Sequence, residues 1–182
     1  MPVYAYILIG IAALILLLVV VVSRRPAAFT ITRSATMAAP PAAAFAEVND
    51  FRRWESWSPW AKLDPAMTQT YDGPAAGVGA KYAWAGKGKV WEGRMAITES
   101  HPDALVRIHL EFVKPMKAVN PTVFAFKPDG TGTTVTWTMT GTNGFVGKLF
   151  FLLLNIEKMV GKDFEKGLAS MKGVVERPPA AA

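Results

Sequence analysis

The sequence predicts an α+β fold: a curved antiparallel sheet of about seven strands wrapped on one long C-terminal helix, with two short helices after strand 1 and an N-terminal transmembrane helix. Three observations predict it. From Met67 to Thr142 apolar residues alternate with polar ones in six runs, separated by turn signals such as DGP, GKGK, HPD and PDGTG, the pattern of strands with one buried and one wet face. From Gly144 to Glu176 the apolar residues, among them Phe145, Leu149, Leu152, Ile156, Phe164 and Leu168, recur at steps of three and four, which predicts a single amphipathic helix. From Tyr4 to Val22 there is no charge at all. A sheet that wraps one helix does not fill its whole concave side, so a cavity is expected between the two.

The first run, YAYILIGIAALILLLVVVV, has 19 residues, 13 of them Ile, Leu or Val. As a helix it rises about 30 Å, the hydrocarbon thickness of a bilayer. A cleaved signal peptide fits less well, because no basic stretch precedes the run and Arg24 and Arg25 close it where a cleavage site would begin. Arg24, Arg25 and Arg33 all follow the helix, which predicts a single-pass anchor with the folded part facing the cytoplasm. The expected organisation is an anchor over 3–23, a linker over 24–28, one domain over 29–176 and a disordered tail over 177–182.

Phe29 to Thr36 is β-leaning and forms the first strand. The prolines of APPAAAF suit a helix start, so a short helix is predicted from Pro41 to Val48. A second runs from Asp50 to Trp57 and stops before Pro59, since the residue ahead of a proline avoids the helical region. In the strands, parity places Val135, Trp137 and Met139 inside against Thr134, Thr136 and Thr138. The same parity places Trp91, Met95 and Ile97 inside against Glu92, Arg94 and Thr98, and Val106, Ile108, Leu110 and Phe112 opposite Arg107, His109 and Glu111.

Composition removes several kinds of chemistry. There is no cysteine, so disulfides, thiolate metal sites and cysteine nucleophiles are excluded. The formal charge is +6, but no run of five or six basic residues occurs, and nucleic acid is not an expected partner. The two histidines, His101 and His109, belong to no metal-binding motif and to no serine triad, so neither a metal nor a cofactor is expected. The glycines of GPAAGVG and GKGK match neither a dinucleotide fingerprint nor a phosphate loop and read as turns. Glu92, Arg94 and Glu111 point outward by parity and are expected to pair across strands at the surface.

The segments WESWSPWAKLDP, TYDGPAAGVGAKYAWAG, VWEGRMAITES, TTVTWTM and GKDFEKGLASMK together resemble the bacterial branch of the SRPBCC superfamily. That superfamily includes START lipid-transfer domains and the polyketide cyclase/dehydrase and lipid-transport proteins. The resemblance covers Phe29 to Glu176. It implies the helix-grip fold, with a cavity between sheet and C-terminal helix that takes a hydrophobic molecule, and it implies a bacterial inner (plasma) membrane for the anchor. It does not imply catalysis, because one scaffold carries enzymes, carriers and chaperone activators, and no catalytic residue stands out.

On this reading core and pocket wall are the same surface. The candidate ligand contacts are Trp57, Trp60, Trp84, Trp91, Met95, Phe112, Phe124, Phe126, Trp137, Met139, Met159 and Phe164, with Trp54 structural. KLFFLLLNI, Lys148 to Ile156, is apolar on nearly every side, so Phe150, Phe151 and Leu154 are expected to face the bilayer at the cavity mouth. The expected function is non-covalent, membrane-tethered binding of a lipid, quinone or polyketide-like molecule. A cyclase/dehydrase-type enzyme using a polar pocket residue and a partner-binding scaffold are the alternatives.

Overall fold

The computed structural model describes residues 2–61, 63–88 and 90–177. Of the tail 177–182, only Arg177 lies within the described residues. The first element, α1 (Val3–Arg24), is apolar along its length and exposed except at Val22. Near its C-terminal end Lys148 Nζ donates to Ser23 O at 3.4 Å.

The sheet runs in the order β1-β8-β7-β5-β4-β3-β2, all antiparallel, from β1 (Ala28–Met37), β2 (Thr68–Asp72), β3 (Lys81–Ala85), β4 (Glu92–His101), β5 (Leu105–Lys114), β7 (Thr122–Asp129) and β8 (Gly132–Thr142). A two-residue strand not expected from the sequence, β6 (Ala118–Val119), pairs with β5 off this path. Alternation sets the two faces. On the outer face of β1 and β8, hydroxyls pair across the strands: Thr32 with Thr138 at 3.1 Å, Ser34 with Thr136 at 2.8 Å, and Thr36 with Thr134 at 3.0 Å. On the inner face Ile31, Val135, Trp137 and Met139 are buried.

The first short helix, α2 (Pro41–Asn49), lies where its prolines predict. The second is not one helix but a 3-10 turn, Phe51–Arg53, followed by a single α turn, α3 (Trp54–Trp57). The Asp50 carboxylate caps that turn by accepting from Arg52 N, which fixes its start at Phe51.

The C-terminal helix is also not continuous. It divides into α4 (Phe145–Leu154) and α5 (Ile156–Val175) at Asn155, whose backbone is left-handed at φ 47, ψ 53. Asparagine adopts that region more readily than other non-glycine residues, and its side chain then accepts from Lys158 N and caps α5. Helical periodicity runs through the break, because one left-handed residue barely disturbs a pattern read at steps of three and four. α5 packs on β1 and α3, whereas α4 turns aside toward α1. Two glycines let α5 approach closely: a Cβ at Gly167 would meet the Trp137 ring, and one at Gly161 would occupy the place of the Arg33 guanidinium.

Candidate functional site

The centre of the layer between sheet and α5 is solid. Trp137 on β8 stacks on Phe164 of α5, with centroids 4.0 Å apart and planes at 5°. Phe124 lies 4.7 Å from Trp137 on the sheet side, and Trp54 and Trp57, themselves 4.7 Å apart, close the cluster from α3. Trp54 Nε1 donates to Val48 O and Trp57 Nε1 to Glu47 O, both at 3.1 Å, so both tryptophans carry the same structural duty of tying α3 to α2. The distinction expected between a structural Trp54 and a ligand-facing Trp57 is not borne out in burial: they are 7% and 2% exposed. Trp137 Nε1 is buried with no hydrogen-bond partner among the described residues, and the aromatic rings around it offer no acceptor.

Beyond this centre the inner face opens. Toward the start of β4 and the end of β5, Tyr82, Trp84, Leu110 and Phe112 are only half-buried, as are Trp60 beside α5 and Tyr71 on the edge strand. The register sets Tyr82 opposite Met95, and Met95 opposite Leu110. One step nearer the strand ends, Trp84 lies opposite Gly93, and Gly93 opposite Phe112. Gly93 is required there, because a Cβ would run into the Trp84 ring. Tyr82 and Trp84 stack at 5.6 Å, and Trp84 meets Phe112 edge-on at 6.2 Å. Burial pushes the Tyr82 phenol up to about 12 and raises that of Tyr71 as well.

Of the twelve sequence candidates, Trp57, Met95, Phe124, Phe126, Trp137, Met139 and Phe164 are buried, Trp60, Trp84 and Phe112 half-buried, and Trp91 and Met159 exposed at 47% and 51%. Trp91 departs from expectation because its backbone is left-handed, at φ 58, which reverses the parity just before β4 begins at Glu92. Met159 lies five residues before Phe164 within α5, which at 3.6 residues per turn puts it away from the face that buries Gly161, Phe164 and Leu168. Phe151 is half-buried, its ring 4.6 Å from that of Phe29. Phe150 and Leu154 are exposed. The sequence candidates omit Tyr71, Tyr82 and Leu110, although alternation placed Leu110 on the inner face and YAW at 82–84 alternates in the same way.

Arg33 reaches from the inner face of β1 to Glu165 on α5, whereas beside the Tyr82–Trp84–Phe112 row the charges sit on the outer face. Arg94 pairs with Glu111 at 2.8 Å on the outer face, as parity requires, and Lys114 meets Glu92 at 2.7 Å across a register shift in the β4–β5 pairing. Among the described residues no group of three or more His, Cys, Asp or Glu gathers as a metal site. Two open clefts lie off the aromatic layer. One, of about 490 Å3, is walled by Glu47, Arg52, Arg53 and Glu55; the other, of about 660 Å3, by Phe29, Lys117, Val119, Pro121 and Thr140.

The profile of the family described as polyketide cyclase / dehydrase and lipid transport matches residues 28–176. The chain belongs to this family. No curated protein matches it in sequence. The fold of this cyclase and lipid-transport family member is similar to that of protein MLL2253 from Mesorhizobium loti (TM-score 0.61, 10% identity, 83% of this chain and 99% of that one). It is also similar to protein CV1439 from Chromobacterium violaceum (0.59, 16%, 82% and 98%) and to the Aha1 dimer from Colwellia psychrerythraea (0.58, 14%, 81% and 96%). At these identities the likeness is one of fold, and it spans nearly the whole of each solved chain.

Proposed function

We propose that the protein is a membrane-tethered binder of a hydrophobic or amphipathic small molecule, such as a lipid, quinone or polyketide-like compound, held non-covalently between the sheet and the C-terminal helix. The observation that carries this reading is the half-buried aromatic row of Tyr82, Trp84 and Phe112, which continues the inner face beyond its solid centre toward the end where α1 joins. Rings left half-wet inside a folded domain are apolar area that a ligand would cover. The lipid-transport part of the family description agrees with it.

The anchor in this reading is α1, 22 residues with a mean hydropathy of 3.2 over its most apolar window, and the Arg24 and Arg25 that follow it support a cytoplasmic orientation at a bacterial inner membrane. Tethering holds the binding site at high local concentration beside a ligand that partitions into lipid. On the inner face the groups with displaced pKa are the phenols Tyr71 and Tyr82, moved away from neutrality. A phenol locked in its protonated form donates a hydrogen bond to a ligand oxygen but is a poor proton shuttle, which favours binding over cyclase or dehydrase chemistry.

The test is mass spectrometry of organic extracts from the detergent-purified full chain, compared with Trp84→Ala and Phe112→Ala variants. A recurrent lipid or quinone in the parent that falls in both variants supports binding at this row. Extracts that are the same for all three proteins would falsify it.

A further inference from the structure

We propose that the end of the sheet nearest α1 forms a second, reversible contact with an anionic phospholipid surface, made on the strand side by the β3–β4 tip and the β5–β7 connection, across the mouth from α4. The inference rests on the reading of α1 as a membrane anchor, and it adds a rim that lies outside both α1 and α4.

Exposed apolar residues are distributed unevenly. Outside α1, eleven large apolar side chains are exposed among the described residues, and ten belong to one end of the fold. That end is fixed by the strand directions: β1, β4 and β7 start there, and β3, β5 and β8 finish there. Leu63 and Trp91 lie at the β3–β4 tip, joined through Asp64, whose carboxylate accepts from Lys87 N at 2.8 Å. Met116 and Val119 follow Lys114, which pairs with Glu92 beside Trp91. Five more sit on α4, and Met159 on the first turn of α5. Only Val78 is at the opposite end. Scattered single apolar residues are normal on a surface, whereas ten gathered round one rim mark an interaction site.

Charge selects the occupant. In the segments that build this end, 24–27, 61–67, 86–92, 114–121 and 142–159, the described residues hold seven basic groups (Arg24, Arg25, Lys87, Lys114, Lys117, Lys148, Lys158) and three acidic ones (Asp64, Glu92, Glu157). The opposite end, 72–81, 99–105, 127–134 and 172–177, holds four basic groups against five acidic. Exposed apolar and aromatic tips interleaved with lysines fit the headgroup region of an anionic leaflet. Continuity with α1 fixes the plane: Arg25 and Ala28 are three residues apart, so β1 starts at the headgroups, and the 660 Å3 cleft walled by Phe29, Lys117 and Val119 opens in the same layer.

The chain has no cysteine, so single thiols report without background. Full-length Met116→Cys, Val119→Cys, Val78→Cys and Leu14→Cys proteins, each carrying an environment-sensitive fluorophore, are reconstituted in phosphatidylcholine vesicles with and without phosphatidylglycerol, using lipids with a quencher near the headgroup or deep in the chain. Each substituted side chain is exposed, so folding is not at stake. The expected result is a blue shift and shallow quenching at 116 and 119 that strengthens with phosphatidylglycerol, and none at 78. Lys117→Ala lowers the ratio of docked to undocked rims about fivefold in anionic vesicles. Labels at 116 and 119 that behave like the one at 78 overturn the rim, and quenching indifferent to phosphatidylglycerol overturns its anionic preference. The label at 14 separates these outcomes from failure of the tether, since it is quenched by deep lipids whenever α1 spans the bilayer.

Discussion

Trp137 and Phe164 lie face to face, 4.0 Å apart and within 5° of parallel, and through them the sheet and α5 share one packed surface. Removing the Phe164 ring leaves a hole between Trp137 and Trp60 in a packed layer. Phe164→Ala is expected to cost about 3–5 kcal/mol, read from denaturant unfolding of the full chain in detergent. Trp137→Phe keeps a ring on the stack and loses no hydrogen bond to the described residues, among which the indole N–H has no partner, so it should cost less than Phe164→Ala. Equal losses would mean that the stack carries little of the packing.

Gly161 is where α5 gives way to Arg33. The Arg33 side chain leaves the inner face of β1, crosses the helix at that glycine, and donates from Nε to Glu165 at 2.7 Å. A methyl group at 161 has to displace the guanidinium, which breaks the pair and lifts the helix from β1. Gly161→Ala therefore destabilises by about 1–3 kcal/mol, against the gain of roughly 1 kcal/mol that alanine gives in an ordinary helix interior. Glu165→Gln, with its partner half-exposed, costs under about 1 kcal/mol. The sign of the Gly161→Ala effect in thermal unfolding decides the matter: stabilisation would show that the contact is not tight.

Asn155 separates the helix that supports the sheet from the one that leaves it. Asn155→Gly preserves the left-handed residue but loses the cap on Lys158 N, whereas Asn155→Ala disfavours the left-handed backbone and favours an unbroken helix. The expectation is that Ala moves α4 and Gly does not. Spin labels at positions 148 and 169 measure this: the distance between them should change in Asn155→Ala and hold in Asn155→Gly. A distance unchanged in both would show that contacts with α1, rather than residue 155, set the direction of α4.

Much of this architecture was legible in residue spacing. Alternation in TTVTWTM placed Val135, Trp137 and Met139 inside, and it placed Glu92 and Arg94 in surface pairs. What periodicity could not carry were single backbone residues that change direction: Asn155, which breaks the helix, and Trp91, whose left-handed φ turns its own side chain off the inner face just before β4 begins. Nor could spacing separate core from pocket. Phe124 and Phe112 have the same chemistry and parity, and only packing shows that α3 and α5 cover the first and leave the second half-open.

Acid should loosen the two ends of the fold by different ties. Two backbone N–H groups, of Lys87 and Ala66, hold the Asp64 carboxyl below its ordinary value of 3.8 at the α1 end. Arg107, and then His101, hold Glu99 below 4.5 at the other. A carboxylate whose folded pKa is depressed contributes stability above its unfolded pKa and loses it as pH falls through the folded one. The melting temperature should thus be insensitive to pH through neutrality and fall below about pH 4.5. Asp64→Asn and Glu99→Gln should each flatten that fall while lowering the plateau, and a decline of unchanged slope in both would place the acid sensitivity elsewhere.

Tyr82 makes the opposite prediction at high pH. Its phenol, half-buried between Phe51, Tyr71 and Trp84, is pushed up to about 12 because burial penalises the phenolate. The folded state holds this proton more tightly than the unfolded chain. Its contribution is therefore complete below the ordinary value of 10.0 and is lost as pH rises toward 12. Subtracting the phenolate absorbance titration of Tyr82→Phe from that of the parent isolates this group, and the difference should rise close to pH 12. A ligand that covers the Tyr82–Trp84–Phe112 row removes the remaining water and shifts the midpoint higher still. A difference curve centred near 10 would mean that the row is open to solvent and that Tyr82 is not part of an enclosed binding surface.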